Sequence, residues 1–295
     1  MSGPGGRSRT PSPGEGPASG ALVLVGTPIG NLGDLSPRAV EALTTADTIA
    51  CEDTRRARAL LSHLGLPAGR RLLAVHDHNE AVQVEGVLAR LYNGEQVVVI
   101  TDAGMPGISD PGERLVAAAV VGHTVEVIPG PSAFVAALVV SGLSTGRFCF
   151  EGFLPRKGPS RARRVAEVAA DRRTTVLYEA PHRVRQTVAD LAAAAGDLRR
   201  VAVARELTKL HEEVWRGTLA GAVEHLASRE PRGEYVIVLD GAPAPDRAGD
   251  SDVEAALLAR LDAGTDKRTA IAEVTAALGV PKRRVYDIAL GLSKD

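Results

Sequence analysis

The run Val97-Val98-Val99-Ile100, entered through Gln96, constrains the fold more than any other stretch of the chain. Continuous β-branched residues imply a strand buried on both faces, the situation of a strand in a parallel sheet covered by helices. The residues that follow, Thr101 to Gly112 (TDAGMPGISDPG), hold three glycines and two prolines in twelve positions. Such a segment has a fixed, non-repetitive backbone that a ligand can approach closely. In open parallel sheets ligands bind just beyond the carboxyl ends of the strands, so Asp102 and the Asp110 region stand where chemistry is expected. Asp110-Pro111-Gly112-Glu113 reads as a helix start, with Asp110 as cap, Pro111 at the first helical position and Glu113 at the third.

The same alternation recurs from Ala21 onward and predicts an α/β protein with a mainly parallel sheet. Strands are expected near 22–26, 48–51, 72–75, 96–101 and 124–128, and helices near 37–45, 54–64, 80–92, 111–121 and 132–140. This first α/β domain spans 21–143. A second, over 144–241, has strands near 148–150, 175–178, 201–204, 213–217 and 235–239 and helices near 160–170, 183–195 and 220–228. Some of its pairing should be antiparallel, because 213–217 follows 201–207 so closely.

Residues 242–251 (APAPDRAGD and the next serine) read as a linker. Residues 252–295 read as a small helical domain in which Thr269 to Tyr286 follows a helix, glycine turn, helix pattern. Residues 1–20 are rich in Gly, Pro and Ser and lack an apolar core, which predicts a disordered tail and not a signal peptide.

With 44% hydrophobic residues, 24% charged and a formal net charge of -1, the composition is that of an ordinary globular chain. No apolar run approaches the roughly 18 residues a membrane helix needs, so a cytoplasmic protein without membrane attachment is expected. The two cysteines, Cys51 and Cys149, lie in apolar surroundings and read as reduced thiols. No metal site is expected, since His76 and His78 have no Cys or carboxylate partner at ligand spacing; they read as substrate-edge or surface residues.

The glycine loop Gly26-Thr27-Pro28-Ile29-Gly30-Asn31-Leu32-Gly33 stands where a dinucleotide fold carries its fingerprint, but the spacing differs and Pro28 removes a backbone donor. No Walker lysine follows it. A third loop, Ile128-Pro129-Gly130-Pro131-Ser132-Ala133, ends a strand and opens a helix whose amino end can accept polar ligand groups. Three glycine-proline loops at three strand ends point together to one ligand site.

The segments GTPIGNLGDLSPRA, ACEDTRR, TDAGMPGISDPG, VIPGPSA, FEGFLPRKG, LYEAPHR and ARELTKLHEE, in that order, resemble the tetrapyrrole methylase (class III) superfamily of S-adenosylmethionine-dependent methyltransferases. Within it they resemble the RsmI family, 16S ribosomal RNA cytidine 2'-O-methyltransferases acting in the decoding centre. The resemblance runs from Ala21 to about Gly241, and the helical tail is similar to that family's extra domain. It implies a two-domain fold with a donor cleft between the domains, 16S RNA or the small ribosomal subunit as partner, and a homodimer.

By the resemblance, Asp102, Gly104, Pro106, Ile108, Ser109 and Asp110 line the donor site, with Pro28 beside it and Ser132 and Ala133 closing it. Tyr178, Glu179, Ala180, Leu207 and Tyr235 complete the adenine pocket. Methyl transfer to a ribose hydroxyl draws much of its rate from positioning, because the donor is already activated. Glu179, His182, Glu206 and Lys209 are the general-base candidates, and Glu179 or His182 is expected to touch the target ribose. Their structural alternative is an ion pair such as Glu179 with Arg183. Arg156, Lys157, Arg161, Arg163, Arg164 and Arg183, together with Lys282, Arg283 and Arg284, are expected to hold RNA phosphates. Two other functions are compatible with the residues: a small-molecule tetrapyrrole methylase, which would not need the helical tail, and a non-catalytic nucleic-acid-binding regulator.

Overall fold

A computed structural model describes residues 20–67, 71–76, 78–244 and 248–292, so the expected tail over 1–19 lies outside the described residues. The chain divides into two compact units, one ending at Gly241 and the other beginning at Ala242.

The first half of the larger unit runs β1 (Ala21–Val25), α1 (Pro37–Thr45), β2 (Thr48–Cys51), α2 (Thr54–His63), β3 (Arg71–Ala74), α3 (Glu80–Tyr92), β4 (Val97–Ile100), α4 (Glu113–Ala119), β5 (Thr124–Ile128) and α5 (Ala133–Val140). Its five strands form a parallel sheet in the order β3-β2-β4-β1-β5. The valine run is buried on both faces, as its composition requires. Val98 and Ile100 join Leu43 and Leu61 of α1 and α2, while Val97 and Val99 join Val87, Leu91 and Leu115 of α3 and α4. Because β4 lies between β1 and β2, the loops leaving β1 and β4 emerge side by side.

The second half runs β6 (Phe148–Phe153), α6 (Pro159–Ala170), β7 (Thr174–Glu179), α7 (Pro181–Ala195), β8 (Arg200–Arg205), β9 (Glu213–Thr218), α8 (Leu219–Ala227) and β10 (Tyr235–Leu239). Its sheet order is β6-β7-β10-β8-β9. Only β6 and β7 are parallel; β10 pairs antiparallel with both β7 and β8, and β8 with β9. A register shift between Phe150 and Gly152 carries β6 on to Phe153, past the expected end at 150. The halves share a core in which Ala137 and Leu138 of α5 pack on Val176, Val236 and Val238 of β7 and β10. Truncating Leu138 to alanine there costs about 2–5 kcal/mol by the usual cavity penalty.

The smaller unit contains α9 (Asp250–Asp262), α10 (Lys267–Leu278) and α11 (Lys282–Gly291) around Val253, Leu257, Ile271, Val274 and Val285. Helix α9 starts inside the expected linker, since the Gly249 N–H finds an acceptor in the Asp252 carboxylate at 2.8 Å. The Asp266 carboxylate caps α10 by accepting from Arg268 and Thr269 N–H, both at 3.1 Å. Gly279, left-handed at φ 61°, ends α10 and begins the turn into α11.

Candidate active site

Three loops at the carboxyl edge of the parallel sheet are tied to one another through backbone. Thr27 N–H donates to the Gly104 carbonyl at 2.9 Å, and Gly104 N–H returns the bond to Thr27 at 3.2 Å. The buried Thr27 hydroxyl donates to the Thr101 carbonyl at 3.1 Å. Gly26 and Gly130 meet face to face: a β-carbon on Gly26 would lie 2.6 Å from the Gly130 Cα, closer than real contacts allow.

The Thr101–Gly112 loop does not end as its sequence suggests. The following helix begins at Glu113, and its cap position is Gly112 at φ 137°, where an Asp110 cap would need an ordinary turn. The exposed amino end of α4 is satisfied from elsewhere. One carboxylate oxygen of Glu80, on α3, accepts from the N–H groups of Gly112, Arg114 and Leu115 at 2.9, 3.1 and 3.3 Å. Glu80 is itself buried, so this charge-assisted cap is shielded from water. The loop also closes on itself through Gly107 N–H to the Pro111 carbonyl at 3.0 Å. Ser109 holds φ 59°, a left-handed conformation that a serine adopts only when its surroundings impose it.

Between the two halves lies a cavity of about 390 Å³, within the range of small-molecule sites. From the first half it is lined by Asp102, Gly104, Ile108, Ser109, Asp110, Ser132 and Ala133, and from the second by Tyr178, Glu179, Ala180, Leu207 and Tyr235. Two expected residues lie elsewhere. Pro106 is buried in the loop away from the cavity lining, and Pro28 lines a smaller neighbouring cavity. The reading missed Ile29, Glu52, Arg56, Met105, Phe153 and Glu234, which also line the large cavity. For Glu52 and Arg56 the signal was present in ACEDTRR at the end of β2; for Glu234 there was none.

Asp102 is anchored to the loop after β2. Its carboxylate accepts from Asp53 N–H at 3.2 Å and pairs with the Arg56 guanidinium at 3.4 Å. Tyr178 forms the opposite wall, its ring edge-on to Phe150 with centroids 4.9 Å apart. Burial pushes its phenol above the ordinary value, partly offset by hydrogen bonds from Phe134 N–H and the Ser132 side chain. Ser132 thus turns its side chain to Tyr178 instead of capping α5.

The structure gives Glu179, which lines the cavity, a full set of partners within its own half. Its side chain is fully buried; the carboxylate accepts from Thr187 Oγ1 at 2.5 Å and Ala180 N–H at 2.9 Å, and pairs with Arg183 at 3.2 Å. These contacts commit most of the carboxylate to its own half of the molecule. His182 is exposed on the first turn of α7 and is not among the cavity's lining residues. Lys209 bridges Glu206 and Glu234 at 2.8 Å each. Burial opposes its charge, yet these two carboxylates hold its pKa above the ordinary lysine value, so it stays protonated and serves as no base.

Two of the expected RNA contacts are also structural. Arg161 is buried, donating to Asp190 at 2.9 Å, Thr187 at 2.9 Å and the Pro155 carbonyl at 3.1 Å. Arg183 donates to the Leu154 carbonyl at 2.7 Å besides its pair with Glu179. Both fix the Leu154-Pro155 turn to α7. Arg156 and Lys157, on that turn, are exposed, as are Lys282 and Arg283 on α11, while Arg284 pairs with Asp250 at 2.6 Å.

Among the described residues no three His, Cys, Asp or Glu side chains are placed to hold a metal ion, and no helix is long and apolar enough to cross a membrane.

Comparison with known proteins agrees with this geometry. A family profile described as Tetrapyrrole (Corrin/Porphyrin) Methylases matches residues 21–223. Two solved structures share the fold: the methyltransferase CobJ, with TM-score 0.58 and 20% identity over 76% of this chain and 95% of its own, and the cobalt precorrin-4 methyltransferase CbiF, with TM-score 0.56 and 18% identity over 77% and 97%. The paired sheets and their strand-end loops define a methylase of the tetrapyrrole class.

Full-length relatives are more specific. A Synechocystis protein named Ribosomal RNA small subunit methyltransferase I is 43% identical over 280 residues, covering 94% of this chain and 99% of its own length. Proteins of the same name from Xylella fastidiosa and Mycobacterium tuberculosis are 46% and 45% identical over 90% and 92% of this chain, and 98% and 95% of their own. The chain belongs to the tetrapyrrole methylase family, in the group of proteins named ribosomal RNA small subunit methyltransferase I.

Proposed function

We propose that this protein transfers the methyl group of S-adenosylmethionine to the ribose 2'-hydroxyl of a cytidine in the decoding centre of 16S ribosomal RNA. The observation that carries the reading is the cavity between the halves, walled by the Thr101–Gly112 loop on one side and by Tyr178, Ala180 and Leu207 on the other. The lining suits that donor. Apolar surface from Ile108, Ala133, Leu207 and Val236 accommodates an adenine and a sulfonium, and the carboxylates of Asp102 and Asp110 suit hydroxyl and amino groups. When bound, the donor supplies an already activated methyl group.

The protein's own part is to orient and to exclude water. Asp102, fixed by Asp53 N–H and Arg56, presents a carboxylate at a constant place on the cavity wall. Ser109 and Gly104 hold the loop open, and Phe153 with Tyr178 covers the far side. Since Glu179 and Lys209 are both committed to ion pairs, catalysis on this reading rests on in-line positioning and not on a dedicated strong base.

Exposed Arg156, Lys157, Lys282 and Arg283 are assigned to RNA phosphates, which makes substrate binding steeply salt-dependent. A second copy of the chain is assigned to the apolar surface formed by Val127 on the edge strand β5 and Val135 and Val139 on α5, as in a homodimer. The small ribosomal subunit places the activity in the cytoplasm.

The test is incubation with labelled S-adenosylmethionine and either small ribosomal subunits or a free tetrapyrrole. Label on a cytidine ribose is the expected result. Label on the macrocycle, or binding of both partners with no transfer, overturns the reading.

A further inference from the structure

A second cavity of about 270 Å³ adjoins the first, and the two share Arg56 and Asp102 as a common wall. The rest of its lining comes from the loop after β1, from α2 and from the ends of β2 and β4, with Pro28, Leu32, Ala59 and Leu60 giving it apolar sides, His63 an aromatic ring and Asp53 a carboxylate. Its rim carries both signs of charge. Arg55, Arg56 and Arg58 are all exposed on the first turns of α2, the Arg55 side chain to 87%; Arg55 pairs with Asp53 at 2.7 Å and Arg56 with Asp102 at 3.4 Å.

We propose that this second cavity receives the base of the nucleotide being methylated, while Arg55 and Arg58 hold its flanking phosphates. The inference rests on the RNA 2'-O-methyltransferase reading and adds to it the place of the substrate. In a nucleotide the 2'-hydroxyl and the base sit on adjacent carbons of one sugar. A hydroxyl held at the donor cavity therefore puts its base about one sugar's width away, and the adjoining cavity shares the Arg56 and Asp102 wall with the first.

The chemistry matches on three counts. Apolar walls suit the faces of an unstacked base, and the His63 ring offers a stacking surface of the kind single-stranded RNA uses. The Arg56 guanidinium can donate to a base carbonyl without leaving the shared wall. Phosphates on either side of an extruded nucleotide are attracted by the exposed arginines of α2.

The experiment fills the cavity from two solvent-exposed positions with Ala59→Trp and, separately, Leu32→Trp, and keeps Leu198→Trp, at an exposed position that lines neither cavity, as the control. Methyl transfer to purified small ribosomal subunits and S-adenosylmethionine affinity by calorimetry are measured for each. The expected result is a loss of about tenfold or more in kcat/KM for the subunit with both cavity variants, donor Kd unchanged, and wild-type behaviour for Leu198→Trp. Arg55→Ala combined with Arg58→Ala should flatten the salt dependence of subunit binding.

Wild-type rates in both filled variants would overturn the proposal and leave the enzyme assignment standing. Loss of donor affinity in both would overturn it too, by making the cavity part of the donor site. Absence of ribose label with the unaltered protein would instead remove the enzyme assignment, and this proposal with it.

Discussion

The two strand-end motifs that frame the larger cavity use their polar residues in opposite directions. In Thr101–Gly112 the side chains of Asp102, Ser109 and Asp110 line the cavity, and the loop is held from behind by Glu80. In Leu177–Arg183 the charged residues pair with one another: Glu179, though it borders the cavity with Tyr178 and Ala180, is taken up by Arg183 and Thr187. One motif brings functional groups; the other brings a surface. The difference lies in what waits behind each strand, because Arg183 and Thr187 follow Glu179 at four-residue intervals and stack on one side of the α7 entrance.

The largest expected effect tests the inward-facing motif. Glu179→Ala leaves the Arg183 guanidinium largely buried without its carboxylate and should cost about 3–5 kcal/mol in chemical denaturation. Donor affinity of the folded protein should be unchanged; the reverse pattern, stability kept and affinity lost, would break the comparison. Next comes Glu80→Ala, which strips the acceptor from three N–H groups and should cost about 1–3 kcal/mol while weakening donor binding. Glu80→Gln keeps an accepting oxygen and should recover part of both.

Asp102→Asn addresses the outward-facing motif. It should lower donor affinity about tenfold, roughly 1.4 kcal/mol, with the unfolding midpoint nearly unmoved. Smaller still is the alkaline response of Tyr178. Burial raises its folded pKa, so its proton stabilises the fold fully below the ordinary phenol value near 10, and that contribution is lost as pH rises through the folded value. Tyr178→Phe should therefore lose less stability than wild type above about pH 10. His182→Ala should change neither stability by more than about 0.5 kcal/mol nor methyl transfer; a large loss of transfer would restore it as a ribose contact.

Local chemistry made much of this legible. The β-branched runs, the glycine-proline loops and the antiparallel pair 201–205 with 213–218 follow from neighbours in sequence, while most of the cavity lining was implied by the resemblance of those loops to a known family. What escaped depends on partners far along the chain. Glu80 caps α4 across more than thirty residues, which no inspection of Asp110-Pro111-Gly112 reveals. Arg161 looked like one of a row of solvent-facing arginines, but Asp190 and Thr187 on α7 draw it into the core. Arg55, Arg56 and Arg58 were not singled out in the sequence, because only the sheet order shows that α2 begins beside the two cavities.

The contact of Gly26 with Gly130 limits how this site can change. Where two main chains touch with no side chain between them, their separation is set by the thickness of a peptide and cannot be graded by swapping small residues for slightly larger ones. Alanine at either position already forces the two turns apart, and with them Thr27 and Ser132. The mouth of the cleft is thus invariant on the side of the parallel sheet. A protein of this architecture that widened or narrowed to suit another acceptor would have to do so through the opposite wall, at Phe153 and around Leu207.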